Sequence, residues 1–128
     1  MRVVLALLAA TAWISINEFV RNQLALLDEW TAHYTGLGLA FPVAPINGAV
    51  WGLWSLAFAT VILILAKRFT LVETAGLAWC IGFVLMWLVI GNLGVLPYGI
   101  LAIAIPWSMV EAFGAAWLVK RIVPAGPK

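Results

Sequence analysis

Three ionisable residues interrupt otherwise apolar stretches of this chain: Glu18, Arg21 and Glu111. Asn17, Asn47, Ser55, Asn92 and Ser108 lie in the same kind of surroundings. Placing a charged side chain at the centre of a lipid-embedded helix costs ~2.5–3.5 kcal/mol on insertion scales, so such residues are candidates for function by default. Glu18 and Arg21 are three residues apart and Asn17 and Arg21 four apart, spacings that put all three on one helix face. A carboxylate beside a guanidinium can form an ion pair, grip a polar solute, or let the arginine reach outward to the interface. Glu111 differs, because no basic residue shares its level when the helices are laid out by length. A carboxyl buried without a cation beside it is a proton-binding group that exchanges when water or a cation reaches it. Ser108 lies one turn before it and Pro106 before both. A proline within a helix removes a hydrogen bond and frees a carbonyl, which would suit an ion or proton step.

The elements that must position these groups follow from composition. Of 128 residues, 66% are hydrophobic and 9% charged, and mean hydropathy is +1.12. A soluble domain carries about 25% charged residues, so the solvent for most of these side chains is lipid. The net charge of +2 and the short basic groups at helix ends exclude a nucleic-acid-binding stripe. A single cysteine, Cys80, and a single histidine, His33, exclude an intrachain disulfide, a bis-histidine haem and a histidine-based metal cluster. No cofactor or metal is expected.

Apolar runs over 3–27, 46–66, 72–95 and 97–119 each reach the roughly 20 residues that a bilayer core demands. Lipid admits only helices and closed barrels, and a barrel needs alternating polarity that these continuous runs lack. The chain is therefore expected to be all-α, a single integral membrane four-helix bundle over 1–128. Residues 28–45 are too polar and too broken by glycine and proline to span. They are too apolar to float free, with Trp30, Tyr34, Leu37, Leu39 and Phe41, and should form an interfacial loop covering one mouth of the bundle. Four spans put Arg2, Lys67, Arg68, Lys120, Arg121 and Lys128 on one side, which predicts both termini in the cytoplasm. A rival reading takes MRVVLALLAATA as a secretory signal cut after Ala12, leaving three spans. The apolar run continues unbroken through Trp13 and Ile14, which argues against it.

At 1.5 Å per residue, Glu18 lies ~22 Å along helix 1, in the outer leaflet. Asn47 and Asn92 sit near the outer ends of their helices. Glu18, Arg21, Asn47 and Asn92 should thus form one outer cluster, serving either as an interhelical hydrogen-bond knot or as a site for a small polar solute or ion. Glu111 should lie roughly 10 Å deeper.

Other features have plainer readings. Glu73 caps a helix start, where a carboxylate favours the dipole. His33 is a solvated loop histidine near Asp28 and Glu29. The eight tryptophans are chiefly packing or lipid-facing bulk, with an aromatic-lined pocket for a flat ligand or lipid as the rival. Gly48-x-x-x-Gly52, Ser55-x-x-x-Ala59 and Ala112-x-x-x-Ala116 indicate close helix packing.

The function these residues fit best is a proton- or cation-linked transporter or channel subunit for a small solute, in a bacterial-type inner cell membrane. Four short spans enclose no path alone, so a homo-oligomer or larger membrane complex is implied. A non-catalytic assembly or lipid-binding subunit is the alternative. A membrane enzyme ranks last, because no nucleophile–base pair or metal set is present.

Overall fold

A computed structural model describes residues 1–124 as five helices with no strand among them. Lys128, assigned above to the cytoplasmic side, lies outside the described residues. Four helices are long and apolar enough to cross a membrane: α1 (Arg2–Ala25), α3 (Pro45–Ala66), α4 (Leu71–Asn92) and α5 (Tyr98–Ile122). The fifth, α2 (Leu27–Gly36), is short and polar. The chain is a four-helix bundle of multi-pass membrane type.

Each boundary has a local cause. Pro45 occupies the first turn of α3, where its missing N–H leaves no bond unmade. Thr70 caps α4 by accepting from the Glu73 amide, and the Glu73 carboxylate accepts from the Thr70 amide at 2.9 Å. Glu73 is thus the cap its position suggests. The apolar run of α4 continues to residue 95, but the helix stops at Asn92 because Gly94 adopts φ +76°. The Val95 amide then bonds back to the Ile90 carbonyl, a glycine-dependent helix stop. Pro97 stays extended, and α5 begins one residue later. Pro106 sits inside α5, and the helix continues past it to Ile122.

The two ends of the bundle differ. At the end carrying Lys67, Arg68 and Lys120, the core is a seam of small residues. Ala10, Ala59, Ala66, Ala75, Ala78, Ala115 and Ala116 are buried there with Ile14, Ile62 and Val119. Small side chains let membrane helices approach closely. The Lys120 ammonium donates to the Ala66 and Phe69 carbonyls at 2.9 and 2.6 Å, which fastens the α3–α4 turn to α5. At the opposite end the core is a small cluster of Leu26, Leu96, Ile100 and Ala104. There α2 folds over the bundle. Its Trp30 stacks on Phe41 and meets Tyr34 edge-on. The segment 28–45 covers that end as the sequence suggests, with its first part helical.

His33 is not merely solvated. Its Nε2–H donates to the Gly94 carbonyl at 2.8 Å, tying α2 to the α4–α5 turn. The sequence shows no reason for this pairing, because the two residues meet only once the chain is folded.

Candidate functional site

Two helices supply the charged core of the site. Near its end, α1 widens into a π-helical turn over Val20–Ala25, closed by the Leu26 amide bonding to the Arg21 carbonyl. A second π-helical turn, Cys80–Val84, interrupts α4. Such widened turns frequently mark functional positions. Here one carries Arg21 and the other Phe83, and the Arg21 guanidinium lies over the Phe83 ring, 5.3 Å from its centroid.

Arg21 bridges two carboxylates. Its Nη1 donates to Glu111 Oε2 at 2.5 Å, and its Nη2 pairs with Glu18 Oε1. Asn22 completes the Glu18 shell, its Nδ2 donating to Glu18 Oε2 at 3.0 Å. Trp30 in turn donates its indole N–H to Asn22 Oδ1 at 3.0 Å. Exposure is 5% for Glu18, 3% for Arg21 and 0% for Glu111. The remaining Glu111 oxygen, Oε1, is buried without a partner. Two carboxylates and one guanidinium leave the buried cluster one negative charge in excess when both carboxyls are ionised.

This arrangement corrects the expectation that Glu111 lacks a basic neighbour. Helical rise fixes the level of a Cα and says nothing about where the side chain reaches. Cα–Cβ bonds tilt toward a helix N-terminus. The α1 N-terminus is at the lysine-rich end and the α5 N-terminus at the α2 end, so Arg21 and Glu111 lean toward one another. The length of the arginine closes the remaining gap.

The other expected site residues separate. Asn17 belongs to the α1–α5 seam. Its Nδ2 donates to the Trp13 carbonyl at 2.8 Å, and its Oδ1 accepts the Trp107 indole N–H at 3.0 Å. Across the same seam the Trp13 indole donates to the Glu111 carbonyl at 2.9 Å. Ser108 is fully buried, donating to the Ile105 carbonyl and accepting the Trp79 indole N–H, both at 2.9 Å. It stabilises the α4–α5 contact and makes no bond to Glu111. Asn47 lines a cavity with Glu18 and Asn22. Asn92 is exposed at the end of α4 and lines neither cavity described below, so it leaves the outer cluster. A shared depth does not fix the face of a helix on which a residue points.

Two cavities flank Glu18. One, ≈ 360 Å³, opens between α1 and α3 beside Pro42–Pro45, with Ser15, Asn22, Gln23 and Asn47 as its polar lining. The other, ≈ 280 Å³, lies beneath α2. Its floor is Glu18, Arg21 and Asn22, and its walls include Trp30, Tyr34, Phe41, Trp51 and Trp87. Asn22 and these aromatics were missed as site residues. Asn22 follows Glu18 by four positions, a spacing that marks a helix neighbour. The aromatics carry no such local signal. Among the described residues no group of His, Cys, Asp and Glu could hold a metal. No family model, curated protein or solved structure matches the chain.

Proposed function

We propose that the protein is a proton- or cation-linked transporter subunit for a small solute, in a bacterial-type cell membrane with both termini in the cytoplasm. The observation that carries this reading is a buried Glu18–Arg21–Glu111 triad with one more carboxyl than cation, of which Glu18 and Arg21 floor a cavity while Glu111 lies behind Arg21, outside the lining. Low dielectric penalises net charge severely, so the triad holds a counter-charge, either a proton or a monovalent cation. The orphaned Glu111 Oε1 gives that proton a place. Basic residues cluster at the end opposite α2, and cytoplasmic loops carry the lysine and arginine excess. On that orientation the cavity beneath α2 takes solute from outside. Release on the other side needs the alanine-lined half to open, or a pathway between protomers.

Reconstitution tests this reading. Proteoliposomes with an internal pH dye are challenged with gradients of small amines, amino acids and carboxylic acids. One class is expected to drive an internal pH change, and Glu111→Gln to abolish it in protein that still elutes as a folded oligomer. An unchanged signal in Glu111→Gln removes the triad from the mechanism.

A second reading, an assembly or lipid-binding subunit, has one observation in its favour. A Cβ at Gly48 or Gly52 would meet nothing within 4 Å, although helix neighbours commonly use such small residues for close approach. Both glycines border the larger cavity, where a second copy or a partner helix could lie against α3. Co-purification of a defined larger complex supports this reading. A self-sufficient homo-oligomer that moves solute counts against it.

A further inference from the structure

We infer that the cavity beneath α2 binds a small organic monocation with an aromatic or alkyl body, which exchanges against the counter-charge of the Glu18–Arg21–Glu111 triad. The inference rests on the transport reading for its biological purpose, but its chemistry is independent of transport. Three observations point to a cation. The walls include five aromatic residues, Trp30, Tyr34, Phe41, Trp51 and Trp87, and aromatic rings attract ammonium groups through their negative faces. Arg21, the one cation in the floor, is engaged by both carboxylates and by Phe83, so it offers an incoming anion little. With both carboxyls ionised, the triad has one negative charge more than Arg21 neutralises. At ≈ 280 Å³ the cavity is just below the usual range of ligand-site volumes, which suits a single substituted ring and nothing larger.

Electroneutrality fixes the exchange. With a proton on the triad the buried charge is zero. When a monocation enters, the proton leaves and the charge is zero again. The groups that face this exchange are few. Glu18 and Arg21 come from α1, Tyr34 from α2 and Glu111 from α5. No charged residue occurs in α3, and Glu73, the only one in α4, caps the far end.

Benzyltrimethylammonium is the probe, with benzenesulfonate as the anion of like size, both titrated calorimetrically into the detergent-solubilised full chain. Buffers of different ionisation enthalpy report the protons released. Saturable binding of the cation with release approaching one proton is expected, and none of the sulfonate. Trp30→Leu should weaken cation binding roughly tenfold, the loss of one cation–π contact. Trp30→Phe should restore most of it. Both variants lose the bond to Asn22, so their difference reports the ring. Glu111→Gln should remove the proton release. Tighter binding of the sulfonate, saturation by neither ion, or cation binding without proton release overturns the inference. Proton-coupled binding without flux in liposomes sinks the transport reading alone. Coupled flux of another solute class, with no cation binding, sinks this one alone.

Discussion

The two halves of the bundle solve the same packing problem in opposite ways. Where Lys67 and Lys120 lie, alanines fill the contacts between helices, and no charged side chain is buried there among the described residues. Toward α2 lie bulky rings, two cavities and the three charged side chains that are buried among the described residues. Close packing in a membrane gains dispersion contacts and leaves no room for solvent or ligand. The cavity-bearing half forgoes part of that stabilisation and replaces it with the triad and a set of indole hydrogen bonds. The contrast teaches that stability and function are divided along the bundle axis, with Glu111 near the boundary.

The sharpest way to break this division is to remove Arg21. Arg21→Leu leaves two buried carboxyls without their shared cation and should lower stability by ~3–5 kcal/mol. Adding Glu18→Gln and Glu111→Gln to the same chain should recover most of the loss, since the penalty comes from uncompensated charge. Thermal unfolding in detergent measures both. Full stability in the single variant would mean that the triad does not hold the α2 half together.

A smaller effect separates filled from open glycines. A Cβ on Gly114 would meet the Trp13 indole at 2.6 Å, and one on Gly82 the Phe58 ring at 2.6 Å. Gly114→Ala and Gly82→Ala should each cost ~1–3 kcal/mol through overpacking. Gly48→Ala and Gly52→Ala meet nothing and should leave the stability of the isolated chain intact or slightly raised. If Gly48→Ala instead dissociates an oligomer, the α3 groove is an interface. The smallest effect concerns α2. Trp30→Phe removes the bond to Asn22 and should cost ~1 kcal/mol, with faster hydrogen exchange in Leu27–Gly36 and none of that change at Ala75 or Ala115.

Much of this architecture is legible in the sequence, because apolar runs of bilayer length have few alternatives. The four spans, the Thr70–Glu73 cap and the covering role of 28–45 follow from local pattern. The boundaries at 92 and 98 depend on how Gly94 and Pro97 are used, and the run of apolar letters hides that. Within the site, Glu18, Arg21 and Asn22 are recognisable neighbours by spacing. The bond from Arg21 to Glu111 is not, because it depends on helix azimuth and on the opposed tilt of side chains on antiparallel helices. The same limitation misassigned Asn92, which has the right depth and the wrong face. Tryptophans read as bulk turn out to be donors, with Trp13, Trp30, Trp79 and Trp107 each spending an indole N–H on another helix.

One measurement bears most directly on the triad. Infrared difference spectra of the solubilised protein, recorded between deuterated and ordinary water, resolve protonated carboxyl groups from carboxylates. With Asp28, Glu29 and Glu73 outside the buried cluster, the spectra should contain one protonated carboxyl band at neutral pH, absent in Glu111→Gln and displaced by benzyltrimethylammonium. A folded wild-type protein that lacks the band with no cation bound, or a band that survives in Glu111→Gln at full strength, would contradict a proton held between Glu18, Arg21 and Glu111.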